Sequence, residues 1–276
     1  MTTSTRYLQI SGRFIRTVYS PGGRFLTTIM GFFAGAPAAP DPVPEKSLSL
    51  LVSQVYDIMD TGFLRVLLNP GRFFEARMQD EPSLKVPALI ALVIGLIGAV
   101  SAALAANLVI GILPADMQAF GMIGVAFAVV GGVIGGFLTW LIFGVVFYGI
   151  SMVFKGTGSF KRTLEFTGYG SLPQVFGGII GTIFTYLLIS GLTIPRATSP
   201  EEIAAVAENL TSIMVTNPLA QIAGLVGILF MIWSANIWIF GMKYARNLST
   251  RDAVLTVGIP VGLYILYTLI TLAGWL

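Results

Sequence analysis

Histidine and cysteine are both absent from this chain. Their absence removes Ser-His-Asp and Cys-His catalysis, haem ligation through either residue, iron–sulfur clusters, ordinary zinc sites and disulfides. Charge is the second scarcity. Only 11% of the 276 residues are charged, whereas 55% are hydrophobic, and the mean hydropathy is +0.84. A soluble domain carries about 25% charged residues, so this composition belongs to an integral membrane protein. The scarcity is sharpest inside the long apolar runs, where no Asp, Glu, Lys or Arg falls near the middle of a run. Proton relays and ion-coupled transporters normally need such groups.

What is present divides the chain in two. Residues 1–85 hold nine Lys/Arg and seven Asp/Glu, and the rest of the chain is a membrane body. Uncharged stretches cover 86–115, 117–154, 166–195, 209–242 and 253–276, each longer than the roughly 20 residues that cross a bilayer. The expected class is an all-α membrane protein: a five-transmembrane-helix bundle with N-terminal cytoplasmic amphipathic or interfacial helices. Its spans are expected near 87–112, 122–153, 171–193, 218–242 and 253–274. The second is read as one long tilted helix, because its middle contains glycines but no polar turn. Segments 1–85, 154–165 and 243–252 contain fifteen of the sixteen Lys/Arg, and only Arg196 falls on the other side. The positive-inside rule then makes this a multi-pass protein of the cell membrane, with its N-terminus cytoplasmic and its C-terminus outside.

In the outer loop, Ser199-Pro200-Glu201-Glu202 reads as a capping box with Pro at the first helical position, opening a short helix to about Met214. Asn209-Leu210-Thr211 is a candidate glycosylation sequon. Gly131/Gly135, Gly132/Gly136 and Gly177/Gly181 are small-xxx-small pairs suited to packing within the bundle, with a dimer interface as the alternative. Pro173 near the start of span three is tolerated where a missing N–H costs least; the alternative is a break lining a polar cavity. Asn107, Tyr148, Tyr186, Gln221 and Asn236 read as interhelical hydrogen-bonding groups, or as substrate ligands. Trp233 and Trp238 read as an aromatic belt.

Residues 1–36 are expected to form a basic amphipathic and short apolar segment. Arg6, Gln9, Arg13, Arg16 and Ser20 recur at spacings of three and four, as in a helix lying in an anionic headgroup plane; a solvated, frayed terminus is the plainer reading. The apolar run 25–36 imitates a signal peptide, but the long region before it and Pro37 after it argue that it is retained. Residues 37–47 are a Pro-rich linker, and 48–85 carry cytoplasmic interfacial helices. The stripe Leu48, Leu51, Val52, Val55, Met59, Phe63, Val66 and Leu67 marks a helix over 48–67. Asn69-Pro70-Gly71 stops it, and Arg72 starts a new turn.

Three blocks resemble the Yip1 family in its prokaryotic branch. The first is Asn69-Pro70-Gly71-Arg72-Phe73-Phe74-Glu75, followed by Glu81-Pro82-Ser83. The second is Gly158-Ser159-Phe160-Lys161-Arg162-Thr163 with Gly168-Tyr169-Gly170-Ser171-Leu172-Pro173. The third is Trp238 with Gly241-Met242-Lys243-Tyr244-Ala245-Arg246, then Leu248-Ser249-Thr250-Arg251-Asp252-Ala253. The resemblance covers about 65–275 and implies five spans with a cytoplasmic N-terminus. It also implies eukaryotic relatives that look like trafficking factors binding small GTPases, an analogy at the level of fold only.

By the topology expected above, the three blocks share one face. The candidate docking face for lipid or partner is Arg13, Arg16, Asn69, Pro70, Arg72, Phe73, Phe74, Arg77, Lys161, Arg162, Lys243, Arg246 and Arg251. These cations are read either as anchors on lipid phosphates or as a face for a protein partner, with Glu75, Glu165 and Asp252 as counter-charges. The expected function is a non-enzymatic, cofactor-free membrane-organising or scaffold protein. Its partners would be the anionic inner leaflet and a protein or a second copy, and not nucleic acid. The alternatives are an accessory subunit of a larger membrane complex, or a small-solute channel or transporter.

Overall fold

The computed structural model describes residues 5–10, 13–19, 25–27, 62–192, 197 and 199–274. The chain forms two units, Met1–Gln54 and Val55–Leu276.

In the first unit, β1 (Thr5–Ile10), β2 (Arg13–Tyr19) and β3 (Phe25–Thr27) make an antiparallel sheet in the order β1-β2-β3. Tyr7 pairs with Arg16 and Ile10 with Arg13. This corrects the basic amphipathic helix expected over 6–20. Tyr7, Phe14, Ile15, Thr17, Val18 and Tyr19 are β-branched or aromatic and favour the pleated surface. Ser11-Gly12 between the strands is hairpin chemistry, which outweighs the incidental three-and-four spacing of the arginines. The apolar run beyond residue 27, the linker 37–47 and the first part of the helix expected over 48–67 lie outside the described residues.

All regular structure described in the second unit is helical. Short helices α1 (Gly62–Leu68) and α2 (Pro70–Arg77) meet at Asn69, whose Oδ1 accepts from Arg72 N at 3.4 Å while Pro70 opens the second helix. This is the favoured chemistry of a helix start. Five helices are long and apolar enough to cross a membrane: α3 (Lys85–Ile112), α4 (Gln118–Val153), α6 (Leu172–Ser190), α8 (Pro218–Ala245) and α9 (Thr250–Leu272). The 36-residue α4 is continuous. Two further helices flank α6: α5 (Phe160–Gly170), and α7 (Pro200–Thr216), which opens on Ser199 Oγ accepting from Glu202 N at 3.4 Å. The all-α, five-span architecture expected for the membrane body is what the fold shows.

Close approach of backbones sets the packing of α3 on α4. A Cβ on Gly136 would lie 2.5 Å from the Ala91 carbonyl oxygen, and one on Gly132 would lie 2.6 Å from Ala99 Cα. Gly131 and Gly135, one step round α4, meet nothing within 4 Å. Two residues of the spans, Asn107 and Trp238, depart from the expectation. Asn107 is exposed and donates to the Ala103 carbonyl of its own helix at 2.9 Å, so it bridges no helices. Trp238 is 1% exposed at the centre of the core, against the interfacial belt expected for it. It packs between Phe143 and Phe147 with ring centroids 4.9 and 5.3 Å away.

The connection between α4 and α6 is not merely a turn. It holds α5, whose residues from Arg162 to Gly170 are all buried. A helix this rich in Thr, Gly and charge can be buried because its polar atoms find partners inside it or beside it. The hydroxyls of Thr163, Thr167 and Ser171 donate to the carbonyls of Ser159, Thr163 and Thr167 at 3.2, 2.8 and 3.0 Å. Trp140 and Trp238 donate their indole N–H to the carbonyls of Leu164 and Thr167 at 2.8 and 2.7 Å. The small residues Gly168 and Gly170 let those rings reach the backbone: a Cβ on Gly170 would fall 2.1 Å from Trp238 Cδ1.

Candidate functional site at the basic end of the bundle

The connections α4–α5 and α8–α9, together with α2, bring the three sequence blocks together at one end of the second unit. Two buried charge systems organise it. In the first, Glu165 is 0% exposed. Its Oε1 accepts from Arg77 Nε at 2.9 Å and its Oε2 from Arg162 Nη1 at 2.6 Å. Arg162 also donates to the backbone carbonyls of Arg77, at 3.2 Å, and Asp80. Arg77 Nη1 reaches Asp80 Oδ2 at 2.8 Å. A buried carboxylate survives only when paired and hydrogen-bonded, and the result is that α2 and the turn after it are fastened to α5. Burial alone lowers the Arg77 pKa, but the hydrogen bond and charge of Glu165 outweigh it, and the net shift is upward. Tyr169, one turn along α5, has its hydroxyl pKa pushed up, first by burial; Arg77 opposes the shift, and the charges of Glu165 and Asp80 add to it.

The second system is Arg246, 2% exposed. Its Nε donates to Ser151 Oγ at 2.8 Å and its Nη2 to the Gly156 carbonyl at 2.6 Å, while Nη1 donates to the Gly158 carbonyl. The guanidinium lies 4.2 Å from the Tyr148 ring centroid. The backbone completes the clamp, Thr157 N donating to the Arg246 carbonyl at 2.8 Å. Gly158 takes φ +103°, and a Cβ there would sit 2.4 Å from the Ala245 carbonyl oxygen. Glycine is therefore required at this turn for both conformation and space.

Thirteen residues were expected to share one docking face, and the structure separates them. Arg162 and Arg246 are buried fasteners, and Arg77 is ion-paired; their guanidinium groups donate to protein acceptors. Pro70 is buried, and Phe74 is 0% exposed with its ring 4.5 Å from Phe166. Phe73 is half-buried, with its ring 5.0 Å from Tyr169. Asn69 caps α2. Arg13 and Arg16 lie in β2 of the other unit. Arg72, Lys161 and Arg251 are exposed, and Lys243 is half-exposed with its Nζ 5.8 Å from the Tyr244 ring centroid. None of these four forms an ion pair among the described residues. Of the expected counter-charges, Glu165 is consumed inside and Asp252 serves the α9 cap, accepting from Ser249 Oγ at 2.7 Å. Only Glu75 remains exposed.

Sequence reasoning missed the roles of Ser151 and Tyr148, the partners of Arg246, and the helical state of 160–170. That helix is capped by Ser159, whose Oγ accepts from Arg162 N at 3.2 Å. At the far end, Asn209 of the sequon is exposed on α7. Among the described residues no group of three or more His, Cys, Asp or Glu could hold a metal ion.

The comparisons agree with this picture. A family model, the Yip1 domain, matches residues 64–272, and so covers all of these blocks. An uncharacterized protein of Methanocaldococcus jannaschii is 39% identical over 127 residues, 46% of this chain and 90% of the relative. No solved structure matches. The matched stretch holds all five spans and both charge systems, and the chain is a member of the Yip1 family.

Proposed function

We propose that this protein is a non-enzymatic membrane organiser, using the basic end of its bundle as a docking platform for anionic headgroups or an acidic partner on the cytoplasmic side. One observation carries the reading. The cations at that end fall into two classes. Arg77, Arg162 and Arg246 are spent holding α2, α5, α8 and the α4–α5 turn together. Arg72, Lys161, Lys243 and Arg251 project from the resulting rigid base without ion-pair partners among the described residues. Cations held on a fixed base keep their full charge for a second surface, and each contributes about 1 kcal/mol near an anionic membrane. The fifteen-to-one split of Lys and Arg favours placing this end inside.

The test is capture of the reconstituted protein. Nanodiscs of zwitterionic lipid holding the full chain should co-float with vesicles containing phosphatidylserine, and do so less as salt rises. Gentle-detergent purification followed by mass spectrometry asks in parallel for an acidic protein partner. Absence of both capture and partner would remove the platform reading.

A further inference from the structure

Several polar side chains of the spans bond back to their own helix. Thr182 and Thr185 on α6, and Thr268 and Thr271 on α9, donate to the carbonyl four residues earlier at 2.8–3.0 Å, and Asn107 does the same on α3. Asn236 on α8 does not. It is exposed, and neither its Nδ2 nor its Oδ1 forms a hydrogen bond among the described residues. Lys243 is seven residues further along the helix, so at about 1.5 Å per residue Asn236 lies about 10 Å below it. The polar layers of a bilayer take up about 5–8 Å on each side, which puts the Asn236 amide in hydrocarbon. No water reaches that depth, and an amide left unpaired there is costly.

The amide closes an apolar seam. Ile222, Leu225, Leu229, Ile232 and Asn236 are spaced 3, 4, 3 and 4, the repeat of helices that pair side by side, and the four apolar members are 46–66% exposed. Asn236 falls at the a position of that repeat, where a single Asn fixes register and the number of strands. The apolar members alone would say nothing, since lipid tails cover them as well as a helix does. The amide is what calls for a partner. Trp233, 37% exposed at the edge of the seam, also leaves its indole N–H unbonded among the described residues. Beyond Asn236 the chain covers this face itself: Ile239 packs on the core, and a Cβ on Gly71 would lie 3.5 Å from the Phe240 ring.

The occupant that fits is a second copy of this chain. Two copies in one membrane share an orientation, so a two-fold axis along the bilayer normal sets Asn236 opposite Asn236 at equal depth. An amide is both donor and acceptor, so each Nδ2 can donate to the other's Oδ1 and both are satisfied. A lipid ester only accepts, and would leave the Asn236 Oδ1 unpaired. We propose that α8 pairs with α8 of a second copy in a parallel two-fold dimer, closed over 222–236 and locked by the two Asn236 amides. The pairing does not depend on the basic end docking a headgroup or a partner.

The chain has no cysteine, so single substitutions report contacts cleanly. In the full chain reconstituted in phosphatidylcholine liposomes, with Asn236 in place, Leu229→Cys and Ile232→Cys bring two thiols within disulfide reach. Under mild oxidation they should cross-link at least about tenfold faster than Ile142→Cys, which is 57% exposed on α4. Single-molecule photobleaching of C-terminally labelled protein in the same liposomes should count two copies per assembly. Asn236→Leu should keep the wild-type Tm and lower the dimer association constant about tenfold, or about 1.4 kcal/mol, the size of an interhelical hydrogen bond. Asn236→Gln should retain most of the association. Wild-type protein that stays single at every surface density, its seam covered by lipid, would overturn the proposal. So would seam cysteines that react no faster than Ile142→Cys, or a dimer as strong in Asn236→Leu as in wild type.

Discussion

Glu165 and Arg77, 88 residues apart in sequence, meet in a 2.9 Å contact between a fully buried carboxylate and an arginine held by the preceding amphipathic helix. This contact, with Arg162 on the other carboxylate oxygen, makes α2 part of the bundle. Glu165→Gln keeps the shape and removes the charge, leaving Arg162 buried opposite a neutral amide. Breaking a buried pair by removing one member costs about 3–5 kcal/mol. Thermal unfolding in detergent, followed by tryptophan fluorescence, should show a clear drop in Tm. Limited proteolysis should cut first between α2 and α3.

Arg246 tests a different kind of fastening. Arg246→Lys retains charge but cannot serve Ser151, Gly156 and Gly158 at once, and an ammonium does not stack flat on Tyr148. Carbonyls left without a partner cost about 1–3 kcal/mol each. The variant should therefore be destabilised by about 2 kcal/mol or more, with faster amide exchange over 155–159. Unchanged exchange there would mean that the turn holds without the clamp.

Tyr169 gives the region a pH dependence. The folded state keeps its hydroxyl protonated more firmly than the unfolded chain does, because of its burial first and then the charges of Glu165 and Asp80. Its contribution to stability is thus complete below the ordinary tyrosine value of about 10 and is lost as pH rises through the higher folded value. Melting temperature should fall in that alkaline window, and Tyr169→Phe should flatten part of the fall while leaving neutral-pH stability near wild type.

Gly170 tests the close packing of α5. A Cβ there meets the buried Trp238 ring at 2.1 Å, and a packed indole cannot step aside without losing its bond to the Thr167 carbonyl. Overpacking of this kind costs about 1–3 kcal/mol. Gly170→Ala should lower Tm and shift the tryptophan emission, whereas Gly131→Ala, facing open space, should do neither.

The membrane body was legible in the sequence because hydrocarbon imposes a simple rule: long uncharged runs with Lys and Arg gathered at alternate ends. The cap at Ser199 and the break at Asn69-Pro70-Gly71 were legible as local chemistry with local consequences. The candidate site was not. Arg162 and Lys161 are neighbours of the same charge, yet one is buried and the other exposed, and only the helical turn of α5 against α2 and Glu165 decides which. Arg246 likewise looks like any positive-inside residue until Ser151 and the 156–158 carbonyls arrive from 90 or so residues away. The N-terminal segment misled through a short coincidence of arginine spacing, which β-branched and aromatic residues overrode.

The central claim is the division of the basic end into structural arginines and free cations. It is tested most directly by replacing Arg72, Lys161, Lys243 and Arg251 together with Gln in the full chain and measuring both Tm and capture by phosphatidylserine vesicles. The account predicts a Tm within about 5 °C of wild type, since surface changes away from buried features cost within about 0.5 kcal/mol each, and capture reduced by at least about tenfold. A variant that melts far below wild type, or one that is captured as well as wild type, would contradict it.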